Sequence, residues 1–544
     1  MESPVVGACY PLAVLPGLSE LFRDYIAGNA SEFYPVAPAG DGWMTHEAEP
    51  ATPRAPLADL LEAQNHACHA GPASIANIVR LRGGARAVVT GQQVGLFGGP
   101  LYTLYKAATA IRLAGDATRA TGVPHVPVFW LATEDHDFAE IDHLSLRGHG
   151  EALEIVRLLD HPDRNSGAPV GALRLGQTVE RALEQAGSLL GETVPEMELL
   201  RRCYRPEATF AGAFAQWLAA TFREGGLIVF DAAARAAHAL GAEVLRKAIT
   251  EAGELERLLL ERGKALEARG YHRQVLVKPG ASLLFLLAGG AENEPHTRLP
   301  LKRRPGGSWT AGNRTYSTED LLGILETEPE RLSPNALLRP VFQDAILPTA
   351  AYIGGPAEIA YFAQNGVLHR HILGRQTPVL PRLSATLLDA RDARTMEHDG
   401  IDLPEIFRMP LEELTQRVGA RSTGLEAKQR LHASGAAMTT ELDALTAWMR
   451  AQDEGLGRSA EVAASKMRYQ MNRLRRLAAK WELGKDTGIR RRVAALYAAV
   501  YPDGHLQERG VGAAAALARG GAALPAALVE AAGGPCPGHK TILL

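Results

Sequence analysis

The sequence predicts an α/β protein with a doubly wound, mainly parallel sheet, to which insertions and a separate helical arm are added. Short apolar runs at residues 87–90, 126–131 and 227–230 each end in small, polar or acidic residues. Helical patterns lie between these runs, and strands that alternate with helices favour a parallel sheet covered by helices on both faces. The chain has 544 residues, more than one compact core usually holds.

Uneven spacing of the strand patterns predicts insertions into this core. About 85 residues separate the end of the second strand from the third, and about 100 more precede the next cluster of polar motifs. We therefore expect a core over residues 1–384, with insertions at about 145–222 and 255–332. Within the core, residues 57–80 carry a helical period.

The composition changes after residue 381 and predicts a helical domain over residues 385–500. Apolar residues recur at steps of three and four in 424–449 and 460–481. Residues 453–459 would supply a turn with Ser459 as the N-cap of the second helix. This pattern fits an antiparallel hairpin, either a true coiled coil or an ordinary helical subdomain. Residues 501–544 are expected to fold back over another domain.

Charge and cysteine content exclude several classes of protein. Lys and Arg number 58 against 61 Asp and Glu, so the chain has no global basic field for nucleic acid. The N-terminus lacks the basic start of a secretion signal, and no apolar run has the length of a membrane span. Four widely separated cysteines suggest reduced thiols rather than disulfides. We expect a cytoplasmic protein that binds neither nucleic acid nor membrane.

A glycine-rich segment follows the first strand. Gly91, Gly95, Gly98 and Gly99 allow backbone amides to approach an anion, and a helix begins nearby. The segment matches neither the dinucleotide fingerprint nor the P-loop, so structural turn glycines remain an equal alternative. Lys106 on the following helix is a candidate to neutralise phosphate charge, the alternative being a solvated lysine.

Four ionisable residues, Glu134, Asp135, His136 and Asp137, follow the second strand. In extended chain, Asp135 and Asp137 would share a face while His136 points to the other side. Carboxylates beside an imidazole can tune a base or hold Mg²⁺ through water. An acidic loop that caps the next helix is the alternative interpretation.

A third cluster spans residues 335–344 and 351–361. Its turn, Gly354-Gly355-Pro356, precedes a helix in the same way as the first glycine-rich turn. Arg339 and Glu358 carry opposite charges and would suit a zwitterion such as an amino acid. A structural ion pair between these two side chains is equally compatible with the sequence.

Five motifs together resemble one known family along nearly the whole chain. They are TGQQVGLFGGPLY at 90–102, PVFWLATEDHDF at 127–138, SPNALLRPVFQD at 333–344, LPTAAYIGGPAEIAY at 347–361 and QER at 507–509. They occur in the family's order, and the chain resembles the bacillithiol biosynthesis cysteine-adding enzymes, the cysteine ligases.

The resemblance implies a Rossmann-like core with inserted peripheral subdomains and a coiled-coil arm that supports a homodimer. The implied reaction adds cysteine to glucosaminyl malate through an amide bond, in the last step of bacillithiol biosynthesis. ATP or another activating nucleotide is the implied cofactor, and Mg²⁺ is a further candidate, with no protein ligand assigned to it.

The resemblance also implies three groups of site residues. The catalytic group is His136, Asp135 and Asp137. The nucleotide or phosphate wall is Thr90, Gly91, Gln92, Gln93, Gly98, Gly99 and Tyr102, to which the residue pattern adds Lys106. The substrate group is Asn335, Arg339, Asp344, Tyr352, Gly354, Gly355 and Glu358. Two alternatives remain open: a metal-dependent hydrolase or phosphotransferase that uses residues 134–137, and a non-catalytic nucleotide-binding dimer.

Overall fold

The computed structural model describes residues 4–38, 40–46, 48–50, 52–147, 153–289, 297–422, 424–485, 487–534 and 536–544. Residues 1–3, at the start of the N-terminus discussed above, and short pieces of both predicted insertions lie outside these ranges. Two compact units are present, one formed by Met1–Leu387 with Gln507–Leu544 and the other by Leu388–Leu506. The sequence placed the corresponding boundaries near residues 384 and 501.

The helices and strands follow the chain in this order. The first part contains β1 (Val5–Tyr10), α1 (Glu20–Ile26), α2 (Arg54–Ala67), α3 (Pro72–Arg82), β2 (Arg86–Gln92), α4 (Tyr102–Thr121), β3 (His125–Leu131), α5 (Phe138–Ile141), β4 (His143–Arg147), β5 (Leu153–Arg157), α6 (Thr178–Leu190), α7 (Pro195–Cys203), α8 (Phe210–Thr221) and β6 (Ile228–Asp231).

The next part contains α9 (Arg235–Leu240), α10 (Ala242–Thr250), α11 (Ala252–Ala268), β7 (Ala281–Ala288), β8 (Thr297–Arg303), β9 (Trp309–Ala311), β10 (Arg314–Tyr316), α12 (Thr318–Thr327), β11 (Leu332–Pro334), α13 (Arg339–Ile346), β12 (Thr349–Gly354), α14 (Pro356–Leu373), β13 (Val379–Pro381) and β14 (Ser384–Leu388). The second unit contains α15 (Ala390–Asp399), α16 (Leu403–Arg408), α17 (Leu411–Ser422), α18 (Leu425–Gln452), α19 (Glu454–Lys485) and α20 (Thr487–Val500). The chain ends with α21 (Gln507–Gly510), α22 (Ala513–Gly520), α23 (Leu524–Ala531) and β15 (His539–Leu543).

The central sheet has five parallel strands in the order β13-β12-β2-β3-β6. Numbered as core strands along the chain, this is the order 5-4-1-2-3. Read from the other edge it is 3-2-1-4-5, which matches the first five strands of the doubly wound dinucleotide-binding order 3-2-1-4-5-6. All seven residues of β3 are buried, as expected for a parallel strand that is covered on both faces. The predicted doubly wound α/β core is therefore confirmed.

Two hydrophobic cores lie on the two faces of this sheet. Val128 and Trp130 of β3 belong to one core, together with apolar residues of α2, α3 and α14. Phe129 and Leu131 belong to the other, together with residues of α4 and α8. Because side chains alternate along a strand, consecutive residues at the end of β3 face opposite sides of the sheet.

The predicted insertions have structure of their own. The first contains the antiparallel hairpin of β4 and β5 and helices α6 to α8. The second contains a five-stranded sheet in the order β10-β9-β8-β7-β11. Ser333 and Pro334 pair with Phe285 and Leu284 there, so the third polar cluster begins on this inserted sheet.

The two ends of the chain meet in a small sheet with the order β1-β15-β14. Cys9 of β1 is disulfide-bonded to Cys536, which precedes β15. The expectation of reduced thiols is therefore wrong for this pair, because the ends lie 527 residues apart in sequence and only the fold brings them together. Cys68 and Cys203 are buried free thiols, as expected.

The second unit is helical, with a long hairpin of α18 and α19. Ion pairs join Arg450 to Glu461 and Arg468 to Asp443, which is the register of an antiparallel pair. The turn is much shorter than the sequence suggested, because only Asp453 separates the two helices. Asp453 accepts a hydrogen bond from the Leu456 amide, whereas Ser459 lies inside α19, so the prediction of Ser459 as the N-cap was wrong.

The helical pattern at residues 57–80 forms two helices rather than one. The break lies at Gly71, whose extended backbone precedes Pro72 at the start of α3. A Cβ at Gly71 would lie 2.7 Å from the Arg223 carbonyl oxygen, which explains why glycine stands there. Across the described part of the chain, no helix has both the length and the apolar character that a bilayer span requires.

Candidate functional site

A cavity of about 330 Å³ lies at the carboxyl ends of the parallel strands, between β2 and β12. The strand order reverses at this point, and doubly wound sheets bind ligands there. We call it the switch-point cavity. Its wall consists of Gly91, Gln92, Gln93, Tyr102, Lys106, Trp130, Ala132, Asp135, Glu140, Ala336, Arg339, Gly355, Ala357, Glu358, Tyr361, Arg382 and Arg509.

A buried ion pair forms the floor of the switch-point cavity. Lys106 of α4 lies 2.7 Å from a carboxylate oxygen of Glu358 on α14, and it also donates to the Gly91 carbonyl. Tyr352 donates to the other oxygen of Glu358 at 2.6 Å. Burial raises the pKa of Glu358, but the Lys106 charge and the hydrogen bonds from the Gly355 amide, Lys106 and Tyr352 together outweigh this, so the pKa lies below its ordinary value. Burial lowers the pKa of Lys106, which Glu358 opposes. Lys106 is therefore buried and paired rather than a solvated lysine, and its role in neutralising phosphate charge stays a prediction.

A second buried pair ties the C-terminal segment to the cavity. Arg382 lies 2.6 Å from Glu508, and both side chains are 4% exposed. Ser384 donates to Glu508 and is bonded to His539, whose other ring nitrogen lies 2.9 Å from the Thr386 hydroxyl. Burial lowers the pKa of His539 to about 4, so the imidazole is neutral at physiological pH. The pair thus holds Arg382 at the cavity wall.

Two further arginines reach the cavity without a carboxylate partner among the described residues. Arg339 donates to the Tyr361 hydroxyl at 2.7 Å. Arg509 is exposed, and neither a hydrogen bond nor an ion pair engages its guanidinium within the described ranges. These two guanidinium groups are free to bind an anion. Arg339 and Glu358 do not pair with each other, contrary to the structural alternative considered above.

Carboxylates form the opposite wall of the cavity. Gln93 donates to Asp135 at 3.0 Å. Desolvation raises the pKa of Glu140, and the Asp135 and Asp137 carboxylates raise it further, against the effect of Gln93. A carboxyl group whose pKa is raised towards neutrality is suited to general acid or base chemistry.

The other members of the acidic cluster point away from the cavity. In the described structure His136 is not part of the wall; its Nδ1 lies 3.4 Å from Arg298 and 3.5 Å from Asp135. Asp137 is exposed, and Glu134 lies 2.8 Å from the buried His238. The expectation that Asp137 joins Asp135 in the site is not met, because the chain turns into α5 instead of staying extended.

The glycine-rich turn is structural for the most part. The Gly98 amide donates to the Tyr204 hydroxyl and the Gly99 amide to the Leu96 carbonyl, so neither is available to a phosphate. A Cβ at Gly98 would lie 2.2 Å from the Trp217 ring. Thr90 is fully buried and donates to the Ile353 carbonyl. In the described structure these three residues do not line the switch-point cavity, which corrects the sequence prediction for them.

The third motif supports the cavity more than it lines it. Asn335 accepts hydrogen bonds from the Leu337 and Leu338 amides, and Asp344 is fully buried against His369. The Gly354 carbonyl accepts from the Arg382 amide. Among the described residues, Asn335, Asp344, Tyr352 and Gly354 are absent from the wall, and their predicted substrate contacts are corrected to supporting positions.

Nine of the predicted residues do line the cavity: Gly91, Gln92, Gln93, Tyr102, Lys106, Asp135, Arg339, Gly355 and Glu358. Their catalytic and binding roles stay predictions. Four further residues lie in the wall that were given no role from the sequence: Glu140, Tyr361, Arg382 and Arg509. Two signals could have found some of them: the QER motif contains Arg509, and Glu140 closely follows the acidic cluster.

The side chains present fit an anionic group better than a metal ion. Lys106, Arg339, Arg382 and Arg509 supply four cationic groups to one small cavity, which suits phosphate or carboxylate oxygens. Within the described ranges, no three His, Cys, Asp or Glu side chains are arranged to hold a metal ion. Residues 134–137 diverge, as the Glu134–His238 pair shows.

Comparison with known proteins agrees with this architecture. The N-terminal Rossmann-like domain profile of the bacillithiol biosynthesis BshC family matches residues 10–383, and its C-terminal coiled-coil domain profile matches 385–542. A Koribacter versatilis protein named "Putative cysteine ligase BshC" is 40% identical over 98% of this chain and 99% of its own length. Proteins of the same name from Solibacter usitatus and Salinibacter ruber are 35% and 33% identical, over 98% and 94% of this chain and 99% and 94% of their own lengths. The chain belongs to the bacillithiol biosynthesis BshC family.

Proposed function

We propose that this protein is a cysteine ligase that joins the carboxyl group of cysteine to the amine of glucosaminyl malate, the last step of bacillithiol biosynthesis. Its relatives carry the name of a cysteine ligase, and the family description names bacillithiol biosynthesis. The proposed setting is the cytoplasm, which fractionation of cells that produce the tagged chain would test.

One observation supports this proposal most strongly. Arg339 and Arg509 line the switch-point cavity without a carboxylate partner in the described structure, and Asp135 and Glu140 line the same cavity. A ligation of this kind needs cationic groups for anionic substrates and a base for the amine. The wall of this cavity contains both.

In the proposed reaction, the amine nitrogen attacks the carbonyl carbon of an activated cysteine carboxyl group. A carbon–nitrogen bond forms, the bond from that carbon to the leaving oxygen breaks, and the leaving group departs with its electron pair. The amine loses a proton to Glu140, which Asp135 adjoins through Gln93. Arg339 and Arg509 stabilise negative charge on the leaving group.

The proposed source of activation is a nucleotide such as ATP, with Mg²⁺ as a further candidate. When bound, the nucleotide would supply the phosphate-based leaving group that makes the carboxyl carbon of cysteine reactive. The four cationic side chains of the wall would hold its phosphates, and Gln92, Gln93 and Tyr102 would border them.

A reconstitution assay tests the ligase proposal. The purified full chain is incubated with cysteine, glucosaminyl malate and each of several nucleotides, and product is measured by mass spectrometry. We expect a product whose mass equals the two substrates less one water, with loss of product in the Glu140→Gln variant. Absence of this product with every nucleotide would contradict the proposal.

His136 provides a second test of the same site. The residue pattern favoured it as an acid, base or charge stabiliser, but its ring lies beside Arg298 outside the described cavity wall. If His136 only positions Asp135, His136→Ala should lower kcat by less than about tenfold. Glu140→Gln removes the proposed base and should lower kcat by about 100-fold or more. The reverse order of effects would return the catalytic role to His136.

We also propose that the α18–α19 hairpin supports a homodimer. Its exposed apolar side chains include Trp448, Met467, Leu474 and Leu477, each about half accessible to solvent. Sedimentation velocity should show a dimer for the unchanged chain and a monomer for Leu474→Glu combined with Leu477→Glu. Val79→Glu, an equally exposed site in the other unit, should remain dimeric. A monomeric unchanged chain at micromolar concentration would contradict this proposal.

A further inference from the structure

A second cavity, of about 420 Å³, lies at the carboxyl ends of β3 and β6. We call it the Asp231 cavity. Leu131 and Thr133 line it, whereas Trp130 and Ala132 line the switch-point cavity, so the two cavities lie on opposite faces of the strand end. Its other wall residues come from the end of α2, the segment between β5 and α6, α8 with the residue before it, and β6 with the turn after it: Gln64, Ala67, Cys68, Gly171, Ala172, Thr209, Ala211, Gly212, Ala215, Gln216, Val229, Asp231, Ala233 and Ala234.

The wall has a charge pattern that excludes anions. Asp231 is its one carboxylate, and Lys, Arg and His are absent from it within the described residues. Burial raises the pKa of the Cys68 thiol to about 11, so the sulfur is neutral near pH 7. A phosphate or carboxylate would meet no cation here, and it would approach a negative charge instead.

Some polar groups of the wall already form hydrogen bonds within the protein, and others do not. One oxygen of Asp231 accepts from the Thr133 hydroxyl at 2.5 Å and from the Ala233 amide at 3.1 Å. The Gln64 side chain donates to the Asp231 carbonyl and accepts from the Asp231 amide, so both ends of its amide group are hydrogen-bonded. The other Asp231 oxygen and the Gln216 amide have no hydrogen-bond partner in the described part of the chain.

The unoccupied groups define what a ligand must supply. A partly buried carboxylate without a cationic partner loses hydration energy that an ammonium group would restore. Burial raises the pKa of Asp231 and the Glu134 charge raises it further, whereas the hydrogen bonds from Thr133 and Ala233 and the charge of His238 lower it. Leu131, Val229 and Ala215 form apolar surface beside it, so the rest of the ligand should be apolar.

We propose that the Asp231 cavity is a second ligand site, which binds a small primary amine with an apolar body. The ammonium group would donate to the unoccupied oxygen of Asp231, and the apolar body would lie against the alanine-rich wall. This inference is independent of the proposed ligase reaction, because no residue of the switch-point cavity takes part in it.

The probe for this site is 4-fluorobenzylamine, observed by ¹⁹F NMR with the full chain. We expect saturable binding, and binding at least about tenfold weaker for 4-fluorobenzyl alcohol, because only the amine forms a charge-assisted hydrogen bond. Binding of 4-fluorobenzoate should not be detected. Asp231→Asn should weaken amine binding by the same factor of about ten or more.

Matched variants locate the probe. Ala172 is exposed at the rim, so Ala172→Trp should block the cavity without disturbing the fold, and Ala268→Trp, at an exposed position on α11, should bind normally. Glu140→Gln should also bind normally, because Glu140 lines the other cavity. The proposal is overturned if the amine shows no saturable binding, if Asp231→Asn and Ala172→Trp bind it as the unchanged chain does, or if the benzoate binds equally well.

Discussion

The two cavities at the end of β3 share a strand but differ in charge. The switch-point cavity has four cationic and three carboxylate side chains, whereas the Asp231 cavity has one carboxylate and no Lys, Arg or His within the described residues. The strand itself contributes few of these groups. Most charges of the switch-point cavity arrive on α4, α13, α14 and the C-terminal segment, so distant elements determine which ligands each face can accept.

This contrast also concerns rigidity. Two buried ion pairs, Lys106–Glu358 and Arg382–Glu508, hold cations at the switch-point wall. The Asp231 cavity has no such ion pair among its described wall residues: Thr133 donates to the Asp231 carboxylate, and Gln64 exchanges two hydrogen bonds with the Asp231 backbone. Breaking a buried ion pair leaves an uncompensated charge. Single substitutions at the switch-point cavity should therefore lower the free energy of unfolding more than those at the Asp231 cavity.

The largest effect is expected for Glu508→Gln. Loss of its charge leaves the buried Arg382 without its ion-pair partner, and we expect the free energy of unfolding to fall by about 3–5 kcal/mol. Urea unfolding measures this. Glu530→Gln is the control, since its pair with Arg112 is exposed on the Glu530 side and should contribute less than about 1 kcal/mol. Equal effects of the two substitutions would show that the Arg382 pair is not needed to hold the wall.

Gly98→Ala is expected to destabilise the protein by about 3 kcal/mol. Gly98 has a φ of +86°, and the added Cβ would meet the Trp217 ring at 2.2 Å. Trp217 belongs to α8, and other residues of this helix line the Asp231 cavity.

The control for Gly98→Ala is Gly122→Ala. Gly122 has a φ of +70° with nothing within 4 Å of an added Cβ, so this substitution measures backbone strain alone. We expect a cost of about 1 kcal/mol for it. Equal losses in urea unfolding would mean that Trp217 moves aside, and that α8 does not fix the glycine-rich turn.

A smaller effect, on activity alone, is expected for Arg509→Gln. Its guanidinium has no partner among the described residues, so its removal should not change the free energy of unfolding. If it binds the leaving group, kcat/KM in the ligation assay should fall by about 10–100-fold. Arg181→Gln, an exposed arginine on α6, should leave kcat/KM unchanged. An unchanged kcat/KM for Arg509→Gln would remove the free arginine from the proposed mechanism.

The parts of the fold and site that the sequence predicted are those with local signals. The end of β2 and the turn before α14 were visible because apolar runs end there in glycine and polar residues. Parallel strands present their carboxyl ends at one edge, so Gln92, Asp135 and Glu358 were correctly expected near one another. Local pattern and sheet geometry are sufficient for such residues.

The rest depends on contacts between distant segments. Arg382 and Glu508 are 126 residues apart, and neither stands in a pattern that predicts their pairing. Gly98 appears suited to phosphate from its neighbours in sequence, but Trp217 fills the space above it and Tyr204 takes its amide. The Cys9–Cys536 bond follows from the pairing of β1 with β15, which no local signal indicates.

The smallest effect is expected from Glu196, which lies beneath α8. Its carboxylate is 7% exposed and accepts a hydrogen bond from the Trp217 indole at 2.8 Å. Burial raises the pKa of Glu196 to about 8. The folded protein therefore binds a proton more tightly than the unfolded chain, whose glutamate pKa is about 4.3.

The sign of the pH dependence follows from this difference. As pH rises from about 4.3 to 8, the unchanged chain loses stability that Glu196→Gln keeps, because the glutamine has no charge to desolvate. The two proteins should unfold at nearly the same urea concentration at pH 4, and above pH 8 the variant should be the more stable of the two. A difference that does not change with pH would mean that Glu196 is ionised in the folded protein throughout. In that case the interior beneath α8, a helix that lines the Asp231 cavity, would already tolerate a charge, and the contrast between a charged and an almost uncharged face of β3 would be weaker than the burial of Glu196 implies.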